Sequence, residues 1–186
     1  MKRLAAAALV IVMLAGCGGN DGTLDRTMGL RAKLLAGNGC SFDAVVTADY
    51  GDGTSEFSVS CTADEQGNLE FTVSEPETIA GITGSVSNDG GKLTFDDTAL
   101  AFALLADGQV TPVSAPWLLV KTLREGYITS CGMDGQLLRA SIDDSYGENA
   151  LHLDIWLGED DAPVRAEILY KERRIVSLDI KSFQIL

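Results

Sequence analysis

Leu69-Glu70-Phe71-Thr72-Val73-Ser74 decides the fold. Apolar and polar side chains alternate there with a period of two. That is the pattern of a strand with one buried face. Glu65-Gln66-Gly67-Asn68 is the turn before it. Upstream, strands at 42–50 and 57–63 flank Gly51-Asp52-Gly53, a hairpin signal. Downstream, 79–87 reads as a strand loosened by Gly81 and Gly84. Asn88-Asp89-Gly90-Gly91 is a second turn, followed by strands at 92–95 and 99–105. Strands resume at 127–133, 136–143, 150–157, 164–171 and 174–183. In the third of these, Leu151, Leu153, Ile155 and Leu157 share a face opposite His152, Asp154 and Trp156.

Two segments break this rhythm. Leu24, Met28, Arg31 and Leu35 lie at helical spacing, with Asp21 or Thr23 as candidate cap and Gly37 and Gly39 as the stop. Residues 112–125 open with Pro112, Ser114 and Pro116 and carry Trp117, Leu118, Leu119, Val120 and Leu123. Proline is tolerated in a first helical turn, and Arg124 and Gly126 suit a helix end. The expected class is α+β, mostly β. About ten short strands at turn spacings of about 8 to 12 residues suggest a sandwich or a curved sheet, and the two helices, at the start and middle of the chain, argue for an antiparallel sheet with helices on one face.

The first residues carry a compartment signal. Lys2 and Arg3 precede the uncharged run 4–14. This basic-then-apolar order is that of a secretory signal peptide, and the run falls well short of the about 20 residues that span a bilayer. Leu14-Ala15-Gly16-Cys17 follows and resembles the lipobox of bacterial lipoproteins. That resemblance implies diacylglycerol on the Cys17 thiol and cleavage just before it. The expected division is a signal peptide at 1–16, a lipidated Gly-rich tether at 17–22 and one domain at 23–186. The expected location is outside the cytoplasm, at the outer face of a cell membrane or the periplasmic side of an envelope membrane.

Charge narrows the partners. The chain has 14 basic and 27 acidic residues, a net charge of −13. Loss of Lys2 and Arg3 with the leader takes this to −15. Such a body repels nucleic acid and anionic lipid surfaces. Cys40, Cys61 and Cys131 remain beside Cys17, without a Cys-x-x-Cys pair and with one histidine, which argues against zinc. Hairpin loops on Gly51-Asp52 or Asp52-Gly53 set Cys61 opposite Phe42 or Ala44. Cys40 is then a diagonal neighbour, and a Cys40–Cys61 disulfide needs a bulge.

Catalytic sets are not legible. His152, with Asp154 on its face, lacks a nucleophile-elbow serine. Asp96-Asp97, Asp143-Asp144 and Asp160-Asp161 lie at turns, where Asp is favoured for local hydrogen bonds. Asp49-x-x-Asp52-Gly53 reads as a hairpin turn, since a calcium loop needs a later glutamate. What stands out is apolar: Leu100, Phe102, Leu104, Trp117, Leu118, Val120 and Leu123 exceed one helix stripe and one sheet face. They are either plain core or the lining of a cavity for an acyl chain.

The whole layout resembles the lipoprotein-carrier (LolA-like) superfamily: lipobox, first helix, long run of strands, mid-chain helix, more strands. Glu75-Pro76-Glu77-Thr78-Ile79-Ala80-Gly81-Ile82 and Leu93-Thr94-Phe95 resemble segments of lipoproteins near that superfamily. The likeness implies a half-barrel whose helices close over an apolar cavity for a lipid. Its Gram-negative periplasmic carriers are soluble, whereas this chain carries an anchor signal. The expected function is a membrane-anchored binder of a lipid or other hydrophobic ligand, with no cofactor beyond the lipid on Cys17. The alternative is an envelope interaction or sensor module that binds a partner protein, and an envelope hydrolase comes third.

Overall fold

The computed structural model describes residues 22–186, apart from 52, 96, 97, 104, 107 and 108; at 105, 106 and 109 only the backbone is described. Cys17 and its tether, the Asp21 cap, Asp52, the Asp96-Asp97 pair and Leu104 lie outside the described residues. The chain runs α1 (Thr23–Ala36), β1 (Gly39–Asp49), β2 (Thr54–Asp64), β3 (Leu69–Glu75), β4 (Thr83–Ser87), β5 (Gly90–Phe95), β6 (Thr98–Phe102), β7 (Leu105–Ala106) and β8 (Gln109–Val110). A 3-10 turn (Pro112–Ser114) leads into α2 (Ala115–Glu125). Then follow β9 (Tyr127–Asp134), β10 (Leu137–Asp143), β11 (His152–Leu157), β12 (Pro163–Tyr170) and β13 (Arg173–Ile185).

Eleven strands form one antiparallel sheet in the order β6-β5-β4-β3-β2-β1-β13-β12-β11-β10-β9. It is a curved sheet and not a sandwich; curved but not closed, it makes with the two helices the half-barrel that the family resemblance implies. Neighbours in sequence are neighbours in the sheet, except that β1 pairs with β13 and so joins the two halves. A register shift at Asp43/Ala44 bends this central pair. Helix α1 packs on β1, β9 and β10; α2 packs on β2, β10 and β13.

The alternation quoted at the outset holds. Leu69, Phe71 and Val73 are buried, and Glu70, Thr72 and Ser74 are exposed. The inner face continues through Val46, Val59, Leu138, Ile142, Leu153, Ile155, Ile168 and Leu178, all essentially inaccessible. Each such side chain contributes ~1.5–3 kcal/mol on burial, so this face sets the register.

Three local expectations differ from the structure. Thr23 does not cap α1; Gly22 does, at φ +73, without a side-chain bond. The buried side of α1 is Thr23, Thr27, Leu30 and Leu34, not the Leu24–Met28–Leu35 stripe that marks the helix in sequence. The strand expected from residue 79 starts only at Thr83, because the chain turns at Ile79–Gly81 with Gly81 at φ +86. Among the described residues no helix is long and apolar enough to cross a membrane.

Candidate functional site

The sheet's apolar face extends further than its helices. Strand β5 pairs with β6 so that Gly91 faces Phe102, Leu93 faces Leu100 and Phe95 faces Thr98. On the other side Leu93 faces Gly84, which faces Phe71, a core residue. Directly opposed residues share a face. Leu93, Phe95, Leu100 and Phe102 therefore all point to the inner side. Leu100 is 63% and Phe95 52% exposed, while Leu93 and Phe102 are half-buried against the core. An apolar shelf thus grows out of the core at one end of the half-barrel, beyond the strands on which α1 and α2 pack. Two glycines shape it. The Phe102 ring fills the space above Gly91, where a Cβ would come within 2.1 Å, and the Phe71 ring does the same above Gly84 at 2.5 Å.

The seven expected cavity residues divide. Leu100 and Phe102 stand on this shelf. Trp117, Leu118, Val120 and Leu123 are packed into the core, each at most 5% exposed. Trp117 borders a crevice of about 30 Å³ with Gln66, Asn88 and Lys121. Leu104 is not described. A hollow of about 200 Å³ does open beside α1, between Leu30, Lys33, Phe183, Ile185 and the Asp160–Asp161 turn. Larger ones lie on the opposite, polar face. One of about 470 Å³ is lined by Ser60, Thr62, Thr72, Thr83, Ser85 and Thr94 among others. Leu93 and Phe95 were not singled out by sequence, yet a two-residue loop at 96–97 would have placed them beside Leu100 and Phe102.

The polar face of β10–β12 carries the other cluster. Ser141 donates to Asp154 at 2.6 Å and Arg139 donates to it at 2.7 Å. His152 sits with Nδ1 2.7 Å from Asp143 and Nε2 3.4 Å from Asp154. Trp156 donates to Asp134 at 2.8 Å and lies under the guanidinium groups of Arg139 and Arg165, 5.7 and 5.0 Å from the ring centre. Burial alone would raise the Asp154 carboxyl. The Ser141 and Arg139 hydrogen bonds and the charges of Arg139 and His152 more than offset this and hold it below its ordinary value. Ser141 bonds the carboxylate, not the imidazole, so serine, histidine and aspartate are not wired as a nucleophile, base and orienter. The described turn carboxylates bond locally: Asp144 accepts from the Leu151 N–H, Asp160 from the Ala162 N–H and Asp49 from the Gly51 N–H. Asp161 instead pairs with Arg26 at 2.6 Å. Among the described residues no group of three His, Cys, Asp or Glu side chains is arranged to hold a metal ion.

Strands β1 and β2 pair without a shift, Phe42 opposite Cys61 and Cys40 opposite Ala63. The bulge that a Cys40–Cys61 bond requires is therefore missing from this ladder, and all three described cysteines are free thiols. Burial pushes Cys40 up to about 11 and Cys61 higher still. Cys131, half-buried on β9, has its sulfur 3.4 Å from the Thr27 hydroxyl of α1.

No family model matches the chain. No curated protein matches it either. Several solved structures are similar to it. A putative outer membrane lipoprotein-sorting protein domain from Vibrio parahaemolyticus is 8% identical, with a TM-score of 0.49 over 87% of this chain and 91% of that one. An uncharacterised conserved protein from Thermus thermophilus is 14% identical, with a TM-score of 0.47 over 91% and 88%. The Mycobacterium tuberculosis lipoprotein LppX is 11% identical, with a TM-score of 0.44 over 89% and 96%.

Proposed function

We propose that this chain is an extracytoplasmic lipoprotein, held to a membrane by lipids on Cys17, that binds a lipid or other hydrophobic ligand. Residues 1–16 are its signal peptide, 17–22 its tether and 23–186 its working body. The supporting observation is the uncovered shelf of Leu93, Phe95, Leu100 and Phe102, continuous with the core yet open to solvent. A contiguous exposed apolar patch on an otherwise acidic body marks a binding surface. Selection is by shape and buried area, with no covalent chemistry. In this reading the ligand lies at the open end of the half-barrel, and α2 supplies the wall behind it rather than the lining.

The test is binding of a fluorescent 16-carbon fatty acid to the wild-type chain and to Leu100→Asp. Burying one leucine contributes ~1.5–3 kcal/mol, so the variant is expected to bind roughly 10- to 100-fold more weakly. Equal affinity of the two proteins, or no saturable binding by either, contradicts the proposal.

A second reading rests on β6. It ends the sheet, and among the described residues it pairs only with β5. An apolar edge strand can accept an extended segment of a partner protein through backbone hydrogen bonds. A proline at Ala101 would then abolish partner binding while leaving fatty-acid binding in place.

A further inference from the structure

Helix α1 exposes the wrong side for a helix that serves the core alone. Leu24, Met28 and Leu35 are 47, 46 and 55% exposed. Steps of four and seven residues align them along about 16 Å of helix. Leu186, 50% exposed, lies near the helix end, its carbonyl accepting from the Asn38 N–H at 2.8 Å. Leu24, Met28 and Leu35 form an apolar strip on the outside of the molecule, on a different element from the β5–β6 shelf.

Two observations say what covers this strip. The first is charge. Thr23–Ala36 holds Arg26, Arg31 and Lys33 against Asp25 alone, a net +2 in a chain of net −13. Arg26 is paired with Asp161, but the Arg31 guanidinium donates to the carbonyl oxygens of Leu123 and Thr122, and Lys33 is exposed. The second is reach. Leu24 follows Cys17 by seven residues. Even fully extended, seven residues span at most about 25 Å.

We propose that the Leu24–Met28–Leu35 strip of α1 lies on the bilayer surface in which Cys17 is anchored. The inference rests on the anchor reading and deepens it. The lipids fix the chain to the membrane, and α1 fixes how the body sits on it. Helix axis and membrane plane are then parallel and the leucine and methionine side chains enter the headgroup boundary, while the Arg31 guanidinium stays on the α2 carbonyls and Lys33 lies on the far side of the helix. In the body-wide balance the acidic surface is repelled from anionic lipid, so a side formed by a helix of net +2 approaches at lower cost.

The chain carries its own reporters. Its four methionines are Met1, Met13, Met28 and Met133. Met28 and Met133 are 46 and 52% exposed, one on the strip and one on the β9 edge. The lipidated full chain is reconstituted in phosphatidylcholine–phosphatidylglycerol vesicles, floated, and treated with dilute peroxide. Sulfoxide at each site is then read by peptide mass spectrometry. Unlipidated Cys17→Ser protein in solution is the reference. The expected result is near-equal oxidation of the two residues in solution, and at least fivefold slower oxidation of Met28 than of Met133 on vesicles. Floated protein whose two methionines still oxidise alike overturns the docking while leaving the anchor standing. Protection that fades as the lipid-to-protein ratio rises assigns the strip to a second copy and also overturns it. Wild-type chain that does not float, its Cys17 unmodified, overturns the anchor and the docking with it.

Discussion

Arg31 and Arg124 close each other's helices. Arg31 on α1 donates to Leu123 O at 2.7 Å and Thr122 O at 3.3 Å, in the last turn of α2. Arg124 on α2 donates to Leu34 O at 2.8 Å, in the last turn of α1, and also to Glu65 O at 2.6 Å. Carbonyls at a helix C-terminus have no partner within the helix, and cations are favoured there. Each side chain therefore satisfies the other helix's end and ties the two helices together on the sheet.

Arg31→Met and Arg124→Met are each expected to cost ~1–2 kcal/mol in urea unfolding. The double variant should cost less than the sum of the two, because either loss loosens the same helix pair. Strict additivity would show that the two bonds act independently.

Gly91 is the floor under Phe102. Adding a methyl group there places a Cβ 2.1 Å from the ring. Gly91→Ala should destabilise the chain by about 1–3 kcal/mol and lower Tm. Gly91→Ala combined with Phe102→Leu should recover part of that loss, since the smaller side chain leaves the space free. A Gly91→Ala protein as stable as wild type would mean that the ring does not rest there.

The thiols give a chemical readout. Cys40 and Cys61 are 1% and 3% exposed and their ionisation is suppressed by burial, so both are shielded twice over. Iodoacetamide at pH 8 should modify Cys131 in the native protein and reach Cys40 and Cys61 only after denaturation. Peptide mapping checks this. Rapid native labelling of Cys61, or a Cys40–Cys61 bond recovered in the intact protein, would contradict the ladder described for β1 and β2.

Asp154 makes stability depend on pH in a defined direction. Its carboxyl lies below the ordinary value in the folded state. The folded protein therefore holds this proton less tightly than the unfolded chain. The stabilisation is present above the unfolded carboxylate value near pH 3.9 and is lost as pH falls through the lower folded one. Asp154→Asn should destabilise the protein at pH 7 and show a shallower fall in stability below pH 4. Parallel wild-type and variant curves through that range would exclude the coupling.

The fold was legible where physics is local. Turn residues and a period of two placed most of the strands, and Gly51 and Gly67, at φ +97 and +85, are turn positions that favour a residue without a side chain. What was not legible is long-range. No local pattern says that β1 pairs with β13, yet that pairing makes one sheet of two halves. The spacing of Leu24, Met28 and Leu35 announces a helix but not which side is buried; Leu30 and Leu34 join the core because α1 packs that side on the sheet. For the site, Leu100 and Phe102 were visible as surplus apolar residues. Trp117, Leu118, Val120 and Leu123 carried the same apolar signal, and only packing distinguishes a core side chain from a lining one.

The central claim is that a hydrophobic ligand rests on the inner face of β5 and β6. Its most direct test is photo-crosslinking of the purified chain with a diazirine derivative of palmitic acid, followed by peptide mapping of the adduct. Adducts are expected within residues 91–102, competed away by unlabelled palmitic acid. Adducts spread over the Ser/Thr-rich opposite face, or none that unlabelled palmitic acid displaces, would contradict it.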